Sequence, residues 1–401
     1  MKALTKPTRK LIGALIALLF LMPAGTALAG DDQAVLPPLT KIKTIASTVP
    51  ANGDVNPYGV AQVRRTIGNL RAGHILVSNF NNSGNFQGTG TTIVEVAPDG
   101  RVSLFAALDP AHLPGSCPGG VGLTTALVVL EQGWVIVGSL PTANQGTVFT
   151  GSGCLIVLDS MGNPAETFYG SLINGPWDMT AFDGDHEAKL FVTNVLNGTV
   201  AANGQVVRGG TVTRLNLKVS AAAMPVLESI TIIGSGFPER TDPAALVIGP
   251  TGVGLRARCE GDRDDCADHD DGDNRGDGGD RDHHDSSLLY VADTLSNRVA
   301  VIDRALTRTT TAGIGRTLSS GGSLNAPLGL VVTPSGTVLT VNSADGFITE
   351  ISPHGGQVAK MQLDNTGSPP GAGALFGLAF DPAAGVYFVD DASNTLNLLH
   401  H

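Results

Sequence analysis

Charged residues are scarce in this sequence: they make up 15% of its 401 positions, whereas hydrophobic residues make up 42%. This balance excludes intrinsic disorder, collagen and a coiled coil as descriptions of the whole chain. A basic excess is also lacking, since 25 Lys and Arg face 36 Asp and Glu. Twelve of the acids and three of the arginines lie between Glu260 and Asp285, which leaves 24 acidic and 22 basic residues elsewhere. Without a large field of one sign, nucleic acid is not an expected partner.

Long apolar runs are lacking except for one near the N-terminus. A basic stretch precedes twelve apolar residues from Leu11 to Met22, and Ala27-Leu28-Ala29 precedes Gly30. Twelve residues are too few to span a bilayer core comfortably, whereas this order is typical of a secretory signal peptide. We predict a signal peptide over residues 1–29, cleavage after Ala29, and a mature domain of residues 30–401 without a transmembrane segment. The expected product is a periplasmic or secreted monomer.

Six segments share a short apolar strand that ends in a polar residue, and these residues are Asn79, Ser139, Asn194, Asp293, Asn342 and Asp390. A strand-like segment precedes each of them, and β-rich segments follow after polar turns such as Pro98-Asp99-Gly100. Six repeated four-stranded units predict an all-β, six-bladed β-propeller. The last unit ends after its third strand, and an unassigned strand over Lys41 to Ser47 precedes the first unit. Pairing these two would close the ring and remove exposed sheet edges.

The segment Tyr290 to Val299, YVADTLSNRV, closely resembles the NHL repeat, and weaker versions occur at the other five places. This resemblance to the NHL-repeat-like propellers implies the same six-bladed fold over nearly the whole mature chain. Propellers of this kind include lyases, lactonases and binding platforms, so the resemblance leaves the activity open.

An acidic segment of low complexity, residues 254–287, interrupts the fourth unit between its first and second strands. It has almost no apolar residue to bury, so we predict a mobile loop there, with a weak calcium or transition-metal site as the alternative. The nearby Gly249 to Arg256, GPTGVGLR, looks like a phosphate-binding loop but lacks its Lys and its Ser or Thr. We expect Ala245 to Gly252, ALVIGPTG, to be the first strand of the fourth unit followed by a turn, rather than a nucleotide-binding loop.

The repeated polar residues are candidate metal ligands. Each ends a second strand, so all should point toward one rim of the central tunnel, where amide and carboxylate oxygens could hold calcium. The candidate ligands are Asn79, Asn194, Asp293, Asn342 and Asp390. The alternative is that each residue caps its own loop through hydrogen bonds to the backbone, a duty that would explain its recurrence in every blade.

A second ring of residues lies at the starts of the first strands. In propeller lactonases of the gluconolactonase type, metal ligands occupy the corresponding places. The equivalents in this chain are Tyr58, Val121, Trp177, Ala244, Leu328 and Phe376, none of which can ligate a metal strongly. We therefore predict an apolar tunnel mouth, formed by Tyr58, Trp177, Leu328 and Phe376, that serves packing or binds a hydrophobic ligand.

Four cysteines in an exported chain can pair in three ways. The loops entering the first and third strands of a blade emerge on the same face, and Cys117 and Cys154 lie in those loops of blade two. We predict that they form a disulfide, with Cys259 and Cys266 as the other candidate pair. The predicted function is a non-catalytic platform that binds a protein, peptide or glycan. The alternative is a metal-dependent, calcium-using hydrolase or lyase with its site at the tunnel.

Overall fold

The computed structural model describes residues 34–243, 245–257 and 285–401. These residues form antiparallel sheets, with one short helix, α1 (Thr199–Ala202), and single 3-10 turns at Pro110–His112 and Thr294–Ser296. Across the described part of the chain, no helix has the length and apolar character needed to cross a membrane.

Strand β1 (Lys41–Ser47) precedes the blades. Blade one contains β2 (Val55–Gln62), β3 (Ile75–Asn81), β4 (Thr92–Val96) and β5 (Val102–Ala107), and blade two contains β6 (Leu123–Val129), β7 (Val135–Ser139), a small hairpin of β8 (Thr142–Ala143) and β9 (Val148–Phe149), then β10 (Cys154–Leu158) and β11 (Pro164–Phe168). Blade three contains β12 (Pro176–Asp183), β13 (Glu187–Asn194), β14 (Val207–Lys218), β15 (Val226–Asp242) and a short fifth strand, β16 (Leu246–Ile248).

The remaining blades follow the same order. Blade four contains β17 (Pro250–Arg256), β18 (Leu288–Asp293), β19 (Arg298–Asp303) and β20 (Arg316–Ser320), and blade five contains β21 (Pro327–Val332), β22 (Val338–Asn342), β23 (Phe347–Ile351) and β24 (Gln357–Gln362). Blade six contains β25 (Leu375–Asp381), β26 (Gly385–Asp390) and β27 (Thr395–His400), and β1 completes it.

The six blades form a closed ring. The first strand of each blade contacts the first strands of both neighbours, in the order β2, β6, β12, β17, β21, β25 and back to β2. Strand β1 pairs antiparallel with β27, from Lys41 opposite His400 to Ser47 opposite Thr395. The six-bladed propeller and its closure by the N-terminal strand are therefore confirmed.

The burial of each strand follows its place in the blade. Second and third strands are packed between neighbouring blades on both faces, so β3 and β23 are almost wholly buried, including their polar residues. Outer strands have one solvated face, and β24 accordingly alternates between half-buried and exposed residues. These two patterns are those of doubly covered and edge strands, respectively.

Each first strand contains a bulge where it meets the second strand. A residue near its start lies opposite the repeated polar residue, as Pro57 lies opposite Asn79, and regular pairing resumes only at Val60 opposite Val77. Comparable register shifts occur in the other five blades. A bulge sharpens the twist of a strand and redirects its side chains. The residues inside the bulges therefore form the ring around the tunnel.

The prediction for the start of blade four is wrong. The segment Leu246–Ile248 is β16, which pairs with the end of β15 in blade three, and the first strand of blade four is Pro250–Arg256. The predicted turn after this segment is thus the beginning of β17, which contains all of GPTGVGLR except Gly249. The predicted acidic loop also begins too early, because Gly254 to Arg256 lie in β17, and residues 258–284 are outside the described part of the chain.

The predicted disulfide between Cys117 and Cys154 is confirmed, with Cα atoms 5.1 Å apart. It joins the loop that enters β6 to the first residue of β10. Cys259 and Cys266, and the predicted signal peptide over residues 1–29, lie outside the described residues.

Removing this disulfide should lower stability substantially. The two cysteines are 37 residues apart in sequence, so the cross-link restricts a long loop of the unfolded chain. The double substitution Cys117→Ser and Cys154→Ser is expected to lower the free energy of unfolding by about 2–4 kcal/mol in urea titrations. A loss below about 0.5 kcal/mol would show that the cross-link contributes little to this fold.

Candidate active site at the tunnel mouth

The bulge residues line the tunnel mouth on the face where the second strands end, which we call the upper face. They are Tyr58, Thr124, Trp177, Thr251, Leu328 and Phe376. In blade two the bulge residue is Thr124 and not the predicted Val121, which lies before β6, and in blade four it is Thr251 and not Ala244, which lies outside the described residues. The ring is therefore not wholly apolar, because two hydroxyl groups belong to it.

Aromatic rings fill the mouth on the side of blades one and six. The Tyr58 ring stacks on that of Phe376, with centroids 3.8 Å apart, and on that of Phe80 at 4.4 Å. Trp177 lies across the mouth, 6.4 Å from Tyr58. Together with Leu328 these side chains belong to one buried apolar cluster. All four residues of the predicted tunnel mouth are thus brought together.

The repeated polar residues are buried, and most of their oxygens are engaged within their own blades. In four of the six blades the side chain bonds the loop that leads into the first strand: Asn79 Nδ2 donates to Thr48 O (3.1 Å), Ser139 Oγ accepts from Gly122 N (3.0 Å), Asn194 Oδ1 accepts from Asn174 N (2.9 Å), and Asn342 Oδ1 accepts from Asn325 N (3.1 Å). In the other two blades the partner follows the second strand: Asp293 Oδ2 pairs with Arg298 Nε (2.8 Å), and Asp390 Oδ1 accepts from Ser393 N (3.1 Å).

These contacts bear on the predicted calcium site. Among the five proposed ligands, Asn79 Oδ1 and Asp293 Oδ1 are buried oxygens without a hydrogen-bond partner. The other oxygens described above are engaged within their own blades. Within residues 34–243, 245–257 and 285–401, no three His, Cys, Asp or Glu side chains are grouped so as to hold a metal ion. These polar side chains fit the role of loop caps better than that of calcium ligands, and calcium binding stays a prediction.

A polar group adjoins the aromatic mouth between blades one and six. Asn56 lies two residues before Tyr58 in β2. Its backbone adopts a left-handed conformation with a φ of 63°, which Asn tolerates better than most residues do. In the amide orientation that satisfies its neighbours, Asn56 donates to the Asp391 carboxylate (3.0 Å to Oδ2) and accepts from Asn81 Nδ2 (2.9 Å). The Tyr58 hydroxyl also interacts with the Asn56 side chain. We call Asn56, Tyr58, Asn81 and Asp391 the mouth cluster.

The carboxyl group of Asp391 in the mouth cluster has an unusually high pKa. Burial, and then the charge of the neighbouring Asp390, raises the pKa of Asp391 from 3.8 to about 7. Burial likewise raises the pKa of the Asp390 carboxyl, and burial followed by the Asp391 charge raises the pKa of the Tyr58 hydroxyl. Asp391 is only partly buried, so a solute can reach it. A reachable carboxyl that exchanges its proton near neutral pH is suited to general acid–base catalysis.

A second carboxyl lies deeper in the same ring. Asp178 follows Trp177 in the bulge of blade three, where four other blades have Gly59, Gly252, Gly329 and Gly377. At Gly329 a Cβ would collide with the carbonyl oxygen of Phe376, so glycine is needed for the close approach of those first strands. Asp178 instead places its carboxylate against blade four, where Oδ2 accepts from Val253 N at 3.0 Å, and burial raises its pKa to about 7.

A third buried carboxyl, Glu239, lies at the base of the hairpin formed by β15 and β16. Neither of its oxygens has a hydrogen-bond partner of ordinary geometry. Burial raises its pKa from 4.5 to about 8, although the backbone N–H of Asn197 opposes this rise. The folded protein therefore holds a proton here that the unfolded chain releases above its ordinary pKa.

Glu239 should make the protein less stable as the pH rises. Between about pH 4.5 and 8 the folded state binds the extra proton, so the free energy of unfolding falls by up to about 1.4 kcal/mol per pH unit from this residue. Glu239→Gln removes this contribution. In urea titrations, the free energy of unfolding of the variant minus that of the native protein should therefore be larger at pH 8 than at pH 5. An equal difference between the two proteins at both pH values would contradict the assignment.

Sequence reasoning found Tyr58 but missed the other members of the mouth cluster, Asn56, Asn81 and Asp391, and it also missed Asp178. The repeat directed attention to the shared position, Asp390, whereas Asp391 is the next residue and blade six is unusual in having two consecutive acids there. Asp178 replaces a glycine that recurs in other blades, a signal that the sequence contains. Asn56 gave no signal, because its role depends on a left-handed turn beside the neighbouring blade.

No protein-family model and no curated protein sequence matches this chain. Solved structures do match. A gluconolactonase of Xanthomonas campestris is 12% identical at a TM-score of 0.50, and the match covers 90% of this chain and 89% of that one. A calcium-binding regucalcin of Agrobacterium tumefaciens is 13% identical at a TM-score of 0.49, covering 88% and 92%. A streptogramin B lyase is 11% identical at 0.47, covering 89% and 96%.

The predicted function of a non-catalytic binding platform is contradicted by this comparison. The architecture that this chain shares at a TM-score of 0.50 is that of a gluconolactonase, which is an enzyme. The alternative prediction, a hydrolase or lyase, remains as a proposal. At 12% identity the likeness shows the fold alone. The reaction depends on the side chains at the tunnel mouth.

Proposed function

We propose that this protein is a hydrolase or lyase that works by general acid–base catalysis at the tunnel mouth, with Asp391 as the group that transfers the proton. The observation that carries the proposal is the mouth cluster: a partly exposed carboxyl with a pKa of about 7, held by Asn56 beside an aromatic surface. General acid–base catalysis is most effective when the pKa of the group lies near the working pH.

Each member of the mouth cluster has a role in this mechanism. The Asn56 amide donates to the Asp391 carboxylate and fixes its direction, while Asn81 holds the Asn56 carbonyl. In its protonated form Asp391 donates to the oxygen of a leaving group, and in its ionised form it accepts a proton from water or from a carbon acid. Both faces of the Tyr58 ring are covered by Phe80 and Phe376, so its edge and the Trp177 ring across the mouth form the apolar wall that the substrate contacts.

The first substrates to test are cyclic esters, since a gluconolactonase shares the fold. The purified protein should open at least one member of a panel of lactones and aryl esters, with and without EDTA. In water enriched in oxygen-18, hydrolysis incorporates one heavy oxygen into the product, whereas elimination incorporates none, and this separates a hydrolase from a lyase. Turnover that survives EDTA fits the metal-free mechanism, whereas turnover that requires added calcium would favour the predicted ring of ligands. The absence of any turnover on the whole panel would count against the proposal.

Three further features of the protein stay proposals of ours. Export through the signal peptide rests on residues 1–29, and kinship with the NHL-repeat proteins rests on the segment Tyr290 to Val299. A monomeric state is the third proposal, and the completion of blade six by the chain's own strand β1 is compatible with it.

A further inference from the structure

The hairpin of β15 and β16 covers the tunnel mouth. Leu246 and Val247 are buried to 7% and 3% exposure in the same apolar cluster as Tyr58, Phe80 and Trp177. Beneath them lies a cavity of about 10 Å³, which is lined by these five residues together with Thr124, Thr125, Leu140 and Ala245. The hairpin thus occupies the space directly above the aromatic surface.

The cavity contains a polar atom without a partner. Thr125 is 4% exposed, and its Oγ1 forms no hydrogen bond. Buried hydroxyl groups are nearly always hydrogen-bonded, because an unsatisfied one costs about 1–3 kcal/mol. A hydroxyl left unpaired in the wall of a cavity indicates that something other than the protein satisfies it.

A short ladder joins the two strands of the hairpin, and its turn is closed by hydrogen bonds such as that from Ala245 N to Asp242 Oδ1 (3.2 Å). Strand β16 pairs with β15 at three positions, from Arg240 opposite Ile248 to Asp242 opposite Leu246. Leu246 has a φ of 61°, a left-handed conformation that is costly for a residue with a Cβ. The packing of Leu246 and Val247 into the mouth compensates for this strain. A ligand that supplied the same apolar contacts would cover the aromatic side chains again, and relief of the strain at Leu246 would offset part of the cost of exposing Leu246 and Val247.

We propose that the tunnel mouth is a binding site for a ligand with a flat apolar ring system and one hydrogen-bonding group, and that Leu246 and Val247 occupy this site until the ligand displaces them. The ring system lies against Tyr58 and Trp177, and its polar group bonds Thr125 Oγ1. This inference rests on the proposed function in one respect: the ligand is the apolar part of the substrate on which Asp391 acts.

Fluorescence tests the site without any turnover. The protein has two tryptophans, so Trp134→Phe leaves Trp177 as the only reporter. In that background Leu246→Ser with Val247→Ser should make Trp177 more accessible to acrylamide. The same variant should bind phenylnaphthylamine, a neutral dye made of a naphthalene and a phenyl ring, about fivefold more tightly. This change corresponds to about 1 kcal/mol, because the hairpin no longer competes with the dye for the site. Unchanged quenching and unchanged dye affinity would overturn the proposal.

Two control variants make the result specific. Met224→Ser with Val226→Ser makes equivalent changes at exposed apolar residues on the outer edge of blade three, and it should leave Trp177 quenching unchanged. If it alters dye binding as much as the hairpin variant does, the dye occupies that edge and the proposal fails.

Thr125→Val keeps the shape of the wall and removes the hydroxyl. It should leave stability unchanged or higher, and should weaken by about tenfold a bound naphthol, whose hydroxyl can pair with Thr125.

The outcomes separate this site from the proposed reaction. If Asp391→Asn binds the dye and naphthol normally, the binding site stands whether or not turnover is found. If turnover depends on Asp391 but the hairpin variant shows neither effect, the reaction stands and the hairpin is a fixed part of the fold.

Discussion

Asp391→Asn is expected to lower kcat/KM by about 10²–10⁴-fold on the best lactone or ester of the panel, the usual contribution of a positioned general acid or base. Asparagine keeps the size of the side chain but cannot exchange a proton. The loss should be largest in kcat, because the binding surface formed by Tyr58 and Trp177 is unchanged. Initial rates over a range of substrate concentrations give the two constants.

The matched control for this variant is Asp381→Asn. Asp381 ends β25 in the same blade, at the opposite end of that strand from the mouth, and accepts a hydrogen bond from Gln62. The Asp381→Asn variant should retain kcat/KM within about threefold of the native value, which corresponds to a change in activation free energy of less than about 1 kcal/mol. If both variants lose activity alike, or if Asp391→Asn keeps full activity, Asp391 does not transfer the proton.

Tyr58→Ala is expected to cost about 3–5 kcal/mol of stability, the range for deleting a large buried aromatic side chain. The Tyr58 ring is 5% exposed and stacks on both Phe80 and Phe376, so its removal opens a cavity between blades one and six. Urea titrations followed by circular dichroism measure the loss.

Tyr58→Phe separates the ring from its hydroxyl. It preserves both stacking contacts and removes only the group that faces Asn56, so it should cost no more than about 1.5 kcal/mol. An equal loss in the two variants would mean that the hydroxyl, and not the stack, stabilises the mouth. A loss below about 1 kcal/mol for Tyr58→Ala would contradict the packing described for the mouth.

The fold could be predicted from the sequence because it is repeated. Each unit repeats the same local pattern, so the apolar second strand and its terminal polar residue were found six times. The sixth unit lacked a fourth strand, and the unassigned strand over Lys41 to Ser47 could supply it. The start of blade four was misplaced because β16 is apolar and directly precedes β17, and the sequence does not distinguish a fifth strand from a first one.

The candidate site was harder to predict because it depends on what differs between blades. The repeated residues, such as Asn194 and Asn342, bond their own loops, which is the duty that a repeat preserves. The mouth cluster joins Asn56 of blade one to Asp391 of blade six, and these residues are 335 positions apart in the numbering. Contacts of that kind follow from ring closure and from a single left-handed residue, neither of which leaves a local pattern.

The pKa of Asp391 is the property on which the proposed chemistry depends, and it can be measured directly. Carbon-13 labelling of aspartate and a pH titration by NMR, with Asp391→Asn used to assign the signal, report the ionisation of this one carboxyl. A midpoint of about 7 is the predicted result. A midpoint near the ordinary aspartate value of 3.8 would mean that the group is always ionised at neutral pH, and the proposed general acid would not exist.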